Sequence, residues 1–197
     1  VDYGLVHHVR QADSSAGRWE ALFRGGPPLL QFWYRQSPRP LVSVVPGGGV
    51  YWSKPGLDVT DMAGVGYDMG GRLLRFYAIP PQLESEPAGP PAAPDWSRLF
   101  AEARLDPARL REATPRWTPP FHNDARAAWE GAWPERPDIP IRVEAAAYRG
   151  RPVFFSVVSP WTKPERMGAW AWPKGKYARQ VTAVGATLLL VGAAAFM

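Results

Sequence analysis

Residues 141–158 read IRVEAAAYRGRPVFFSVV, which is the pattern of a β-hairpin. Two runs of residues suited to strands flank a turn that contains Gly150. In the second run Val153, Phe155 and Val157 alternate with other residues, so these three side chains fall on one face of the predicted sheet. The stretch therefore predicts an antiparallel sheet with one packed face and one wetter face.

The hairpin pattern occurs a second time, earlier in the chain. Residues 63–67 and 72–79 are suited to strands, and the turn between them contains Gly71. Similar segments recur at offsets of 77, 81 and 79 residues, beginning at Trp19 and Trp96, Arg35 and Arg116, and Gly71 and Gly150. Three matches in the same order predict a duplicated unit of about 80 residues, in which we expect Phe76 and Phe155 to be equally buried.

Each predicted unit begins with a short amphipathic helix, at 14–24 in the first unit and at 95–103 in the second. The Trp-x-x-Leu-Phe spacing in both segments places the apolar side chains on one helical face. An aromatic strand follows at 30–36, with a shorter counterpart at 116–118. Prolines follow both segments and confine such strands to an edge or an end of a sheet.

A stretch rich in proline and alanine, ESEPAGPPAAP, separates the two units and favours an extended spacer. We therefore predict an α+β fold of two similar helix-plus-antiparallel-sheet units followed by a C-terminal transmembrane helix. The predicted boundaries are 1–83 for the first unit, 84–94 for the linker, 95–165 for the second unit, 166–179 for a juxtamembrane segment and 180–197 for the transmembrane helix.

The transmembrane prediction rests on the uncharged run VTAVGATLLLVGAAAFM at 181–197. Seventeen helical residues cover roughly 25 Å of a hydrocarbon core about 30 Å thick, so we expect the chain to be a fragment whose span is cut short. Aromatic and basic side chains before the run predict an anchor at the lipid interface. These interface residues are Trp170, Trp172, Lys174, Lys176, Tyr177 and Arg179.

Composition excludes several classes of protein. Aromatic residues at 13% and hydrophobic residues at 46% indicate a globular chain, and 23 prolines favour short elements. The net charge of +5 comes from scattered arginines, so we expect no nucleic-acid partner. The chain has no cysteine, which excludes disulfides and thiolate metal sites.

Three segments carry a resemblance to a known family. They are FWYRQSPRPL at 32–41, the residues MA, YD, GRL and FYAIPP within 62–81, and RVEAAAYRGRPV leading to PW within 142–161. Together they resemble the membrane-flanking region of large bacterial serine/threonine protein kinases of the acidobacterial type. The hairpin unit also resembles, more loosely, the PepSY repeat of extracytoplasmic bacterial proteins.

The resemblance implies a parent protein with a cytoplasmic kinase domain, a membrane helix, this region and further membrane helices. Its implied partners are therefore the lipid bilayer and the kinase domain and helices of the same chain, together with an unknown ligand or protein. The kinase motifs are absent here, so ATP and Mg²⁺ are implied only for the kinase domain. The implied location is the bacterial cytoplasmic membrane with the module on the extracytoplasmic side, although the basic residues before the predicted span would favour the cytoplasm.

Arg35 and Arg116 are the candidate ligand residues, because the repeat places them equivalently. Paired guanidinium groups could hold an anionic ligand. In the structural alternative, which we favour, each arginine stacks on its neighbour, Trp33 or Trp117, or donates to loop carbonyls. We expect the aromatic cluster at 32–34 to be core, and we predict no catalytic, cofactor-binding or metal-ligating residue.

These observations predict a non-catalytic sensory or interaction region of a membrane-bound serine/threonine protein kinase. One alternative is a membrane-anchored hydrolase that uses Asp58, Asp61 or His122, at least two of which would have to share a pocket. A further alternative is a structural spacer, which we expect to have a dry surface with no cavity and no exposed aromatic patch.

Overall fold

Among the residues that the structure describes, seven antiparallel strands form a single sheet. The computed structural model describes residues 1–22, 27–44, 48–84 and 92–167. The strands are β1 (Gln31–Gln36), β2 (Ala63–Asp68), β3 (Leu73–Ala78), β4 (Arg111–Ala113), β5 (Ala125–Trp133), β6 (Arg136–Tyr148) and β7 (Arg151–Val158). Their order across the sheet is β1-β2-β3-β7-β6-β5-β4.

The two predicted hairpins, β2–β3 and β6–β7, meet at the centre of this sheet. Their returning strands β3 and β7 pair with each other, and Phe76 lies directly opposite Phe155. We call this pairing, which joins residues 75–77 to residues 154–156, the seam. It satisfies backbone groups that each hairpin would otherwise expose along an edge.

The predicted fold class is wrong. In place of two helix-plus-sheet units, the described residues form mostly one antiparallel sheet with two short α-helices, α1 (Tyr3–Ala12) and α2 (Ser97–Glu102). In two separate units the outer edge of each returning strand would have no partner, whereas in one sheet these two edges pair with each other. The helix predicted at 14–24 is a 3-10 segment at Ala16–Leu22, which contains Gly17, a weak helix former.

The turns of the two hairpins contain equivalent glycines. Gly71 has a φ of +76° and Gly150 a φ of +77°, a conformation that other residues adopt only with strain. Arg149 precedes Gly150 with a φ of +51°, so the β6–β7 connection has the two positive φ values typical of a tight hairpin turn. A side chain at Gly150 would also come within 2.5 Å of the carbonyl oxygen of Ala92.

One face of the sheet, which we call the A face, is covered by α2. The ring of Phe100 packs edge-to-face on Trp129 of β5 and Phe155 of β7, at centroid distances of 4.8 and 5.7 Å. Phe155 is fully buried, whereas Phe76 across the seam is only partly buried. The expectation of equal burial is therefore not met, because Phe100 covers the second half of the sheet.

The opposite face, the B face, is covered by loops, and at the edge of the sheet Gln31 of β1 donates to the carboxylate of Asp2, directly before α1. Met62, Tyr77 and Ile79 form a small core there, and Trp52 from the loop before β2 stacks edge-to-face on Tyr77 at 5.1 Å. At the start of α1 the Asp2 carboxylate accepts a hydrogen bond from the backbone N–H of Leu5, which caps the helix. Both sheet faces are buried at β7, since neighbouring residues of this strand, Phe155 and Ser156, are 0% and 9% exposed.

Residues Val1–Thr162 form one compact unit and Lys163–Met197 a second, of which 163–167 are described, with a short 3-10 segment at Glu165–Met167. The predicted transmembrane helix at 180–197 and the juxtamembrane segment from 168 onward lie outside the described residues. No helix in the described ranges has the length and apolar sequence that crossing a bilayer requires.

Candidate functional site

Three exposed aromatic rings lie on β1, at one edge of the sheet. Phe32, Trp33 and Tyr34 are 60%, 41% and 62% exposed. Phe32 and Tyr34 are on the A face, because their cross-strand partners on β2 are Tyr67 and Val65, whereas Trp33 is on the B face. The expectation that this cluster is core is wrong, because β1 is an edge strand and leaves all three rings exposed.

The exposed rings continue into the core along the A face. Tyr34 pairs with Val65, Val65 with Phe76, and Phe76 with Phe155. Exposure falls along this row from 62% at Tyr34 to 0% at Phe155. We give the name aromatic surface to five side chains in the open part of the A face, which are Phe32, Tyr34, Val65, Tyr67 and Phe76. The exposed Gln36 lies on the same face at the end of β1.

The aromatic surface offers apolar area rather than reactive groups. Its one polar atom type is the tyrosine hydroxyl, and no carboxylate, imidazole or ammonium group belongs to it. Binding there would depend on the burial of rings and on edge-to-face stacking, which together give aromatic side chains a large share of interface energies.

Arg35, a predicted ligand residue, is engaged inside the protein. It lies on the B face, is 6% exposed and donates hydrogen bonds to the carbonyl oxygens of Tyr51 at 2.6 Å, Pro55 at 3.0 Å and Gly56 at 3.3 Å. Burial raises the pKa of the neighbouring Tyr77 phenol, and the positive charge of Arg35 offsets part of that rise. Arg35 therefore fixes the loop 51–56 against the sheet.

Arg116, the second predicted ligand residue, lies elsewhere. Its side chain is exposed, and its backbone N–H donates to both carboxylate oxygens of Glu144 on β6, at 3.0 and 3.2 Å. Trp117 beside it is partly buried. Four strand spacings, about 19 Å, separate β1 from β6, so the structure does not bring Arg35 and Arg116 together.

A buried ion-pair network on the B face was not predicted. Glu144 is 1% exposed and accepts from Nε of Arg142 at 2.5 Å, while Nη1 of Arg142 donates to Glu130 at 2.5 Å and Nη2 to the carbonyl of Thr114. The signal for it was the Arg-x-Glu spacing within the hairpin, which puts both charges on one face of a strand. The network holds the chain at 114–116 against the sheet.

A cavity of about 540 Å³ lies beside this network, between β5, β6 and the end of β7. Arg111, Glu130 and Arg142 supply its charged groups. Glu130 accepts from Arg111 at 2.8 Å and from Arg142 at 2.5 Å, so its charge is compensated by two guanidinium groups. Both carboxylate oxygens of Glu130 are therefore occupied by arginine donors.

The residues proposed for a hydrolase do not line this cavity. Asp58 and Asp61 are exposed on the loop before β2, and Asp61 has a φ of +63°. His122 is exposed and stacks on Tyr148 at 5.2 Å. Within the described ranges no group of three or more histidine or acidic side chains is placed to hold a metal ion.

The predicted membrane-interface residues have no described position. They are Trp170, Trp172, Lys174, Lys176, Tyr177 and Arg179, all beyond residue 167. Their role at a lipid surface stays a prediction from the sequence.

No protein-family model matches the chain, and no curated protein or solved structure matches it either. The resemblance to the membrane-flanking regions of bacterial kinases therefore stays a prediction from the residues that carry it.

Proposed function

We propose that this protein is a non-catalytic interaction module that binds an amphipathic helix of a partner on its aromatic surface. One observation carries the proposal: Phe32 and Tyr34 are 60% and 62% exposed on a sheet face that is buried in its other half. Contiguous exposed apolar groups of this kind are typical of binding sites in globular domains.

The chemistry of the partner is argued from α2, which covers the second half of the same face. Its Trp96 and Phe100 both pack edge-to-face on Trp129, and Phe100 also packs on Phe155. The aromatic surface lies across the seam from these contacts and leaves Phe32 and Tyr34 open. A helix with large apolar side chains three and four positions apart fits such a surface.

The two alternative functions find less support. A structural spacer is expected to lack an exposed aromatic patch, and the exposed rings of β1 argue against it. A hydrolase would need two of Asp58, Asp61 and His122 in one pocket, and the cavity beside β5–β7 is lined by none of them.

A synthetic peptide of residues 94–106, which contains α2, is the probe for this proposal. We expect the full chain to bind it, and we expect Phe32→Ser combined with Tyr34→Ser to weaken the binding roughly tenfold or more, because two ring contacts are lost. Isothermal titration calorimetry measures both affinities.

The matched control is Tyr51→Ser, which removes a ring of similar exposure, 57%, from the loop that Arg35 holds against the B face. This variant is expected to bind the peptide as the wild type does. Equal affinities for the wild type and the double variant, or no peptide binding by the wild type, would contradict the proposal.

We also propose, from the resemblance, that the module is the sensory region of a membrane-bound serine/threonine kinase and lies on the extracytoplasmic side. Binding would act in cis by shifting the balance between two arrangements of the parent chain. The chain itself is proposed to bind neither ATP nor Mg²⁺.

Autophosphorylation of the parent protein in membranes tests this context. Addition of the 94–106 peptide is expected to change the rate for the wild type, and the Phe32→Ser and Tyr34→Ser double variant is expected to keep the basal rate but lose the response. A response that survives in the double variant would argue against regulation through the aromatic surface.

A further inference from the structure

β1 lies at one edge of the sheet. Within the part of the chain that the structure describes, β2 is the sole hydrogen-bonded neighbour of β1. A free strand edge presents a row of backbone donors and acceptors that can accept another strand. We propose that two copies of this chain associate through this edge, with β1 of one copy antiparallel to β1 of the other. The two seven-stranded sheets then form one continuous sheet.

The contrast between the two sheet edges favours β1. At the other edge, β4 is three residues long and exposes Arg111 and Glu112, and a short, charged strand of this kind discourages pairing. β1 is six residues long and contains neither lysine nor proline. Its one charged residue, Arg35, is turned to the B face and is 6% exposed.

The geometry of a twofold axis limits how the two strands can align. If the twofold axis is perpendicular to the sheet, the A faces of both copies lie on the same side of the joined sheet. Residues that lie directly opposite each other in an antiparallel pair point to the same face. In the alignment that opposes the most rings, Trp33 lies opposite Trp33 of the partner subunit, and Phe32 lies opposite Tyr34 of the partner subunit. Aromatic pairs across strands are stabilising, and this alignment brings no like charges together.

The area available is sufficient for a reversible dimer. The three rings, which are 60%, 41% and 62% exposed, present roughly 350 Å² per copy. Edge pairing covers the sides of the rings that face the partner strand and leaves the rest open on the two sheet faces. Strand backbones and flanking side chains add to the covered area, and the total stays at or below the 1,000 Å² or so of the smallest specific interfaces, which is the size of a weak, reversible contact. An interface of this size is consistent with dissociation in the micromolar range.

Pairing through β1 goes beyond the proposed helix binding, because it uses the strand edge rather than the A face. It also places the two aromatic surfaces side by side, with Phe32 and Tyr34 at the junction. The pair of copies would then present one uninterrupted apolar strip along the A face of the joined sheets.

A charge exchange at position 33 tests the pairing and its alignment together. Trp33→Lys and Trp33→Glu each place like charges opposite themselves, so each variant of the full chain is expected to sediment as a monomer of 21.8 kDa. An equal mixture of the two variants is expected to sediment at twice that mass, as the wild type is. Leu83→Lys, at a position that is 88% exposed and outside the strands, is the matched control and should leave the wild-type dimer intact.

Cysteine cross-linking gives a second measurement, since the natural chain has no cysteine. Directly opposed residues have Cα atoms about 4.5–5.5 Å apart, which a disulfide can bridge. Trp33→Cys is therefore expected to form a covalent dimer on mild oxidation. Phe32→Cys should cross-link to Tyr34→Cys in a mixture in preference to itself.

A wild type that stays monomeric at about 100 µM, a dimer that survives Trp33→Lys, or a Lys/Glu mixture that stays monomeric would each overturn the proposal. Peptide binding separates it from the proposed function. The Trp33→Lys variant retains the A face, so it is expected to bind the 94–106 peptide even as a monomer. If the Trp33→Lys variant fails to bind the peptide while its mixture with Trp33→Glu still dimerises, the result counts against the proposed function alone.

Discussion

Phe155→Ala is expected to lower the free energy of unfolding by about 3–5 kcal/mol, the range for removal of a fully buried aromatic ring. Phe155 is 0% exposed and lies at the seam, under the ring of Phe100 and opposite Phe76. Its removal leaves a cavity that elements from both halves of the sheet would have to fill. Urea denaturation measures the loss as a lower midpoint with an unchanged slope.

Phe76→Ala is the matched control, because it removes the same side chain from the other side of the seam. Phe76 is only partly buried, so we expect it to cost clearly less, roughly half as much. If both variants lost the same free energy, the unequal cover of the A face by α2 would be contradicted.

Glu144→Ala is expected to cost about 3–5 kcal/mol, because it leaves the charge of Arg142 without its most buried partner. Glu144 is 1% exposed and also accepts from the backbone N–H of Arg116, so that donor is orphaned as well. The chain at 114–116 is expected to loosen from the B face. Hydrogen exchange at Arg116 and urea denaturation measure the two effects.

Glu130→Ala is the control for this variant, since Glu130 binds the same arginine at the same distance of 2.5 Å. Its side chain is 36% exposed, and we expect a loss of about 1 kcal/mol or less. A double-mutant cycle with Arg142→Ala gives the coupling of each pair. If the coupling free energies of Arg142 with Glu144 and with Glu130 were equal, burial would not explain the difference between the two ion pairs.

The hairpins could be predicted because their signals are local. The turns that contain Gly71 and Gly150 lie between strands a few residues apart, and the alternation of Val153, Phe155 and Val157 indicates which face is packed. The seam could not be predicted, because it joins strands that are far apart in the sequence. The sequence pattern of a strand does not indicate which other strand it pairs with. The prediction of two units instead of one sheet followed from that.

The sequence also could not predict which side chains of β1 and β6 are buried. The aromatic residues of β1 suit a core as well as a surface, and only the position of β1 at the edge decides that Phe32 and Tyr34 are exposed. Conversely, Glu144 looks like a solvent-facing strand residue until the segment 114–116 folds over it. The alanine-rich β5 was missed because Ala has low strand propensity, which tertiary pairing overrides.

The seam also sets the order of events during synthesis. Phe155 follows its partner Phe76 by 79 positions. At a synthesis rate of about 5–20 residues per second, the outer edge of β3 stays unpaired for roughly 4–16 s before β7 is synthesised. During that interval β1–β3 can form as a nascent meander with both of its edges bare. A translational pause before β7, or a chaperone that shields a single strand, would act on this edge of β3.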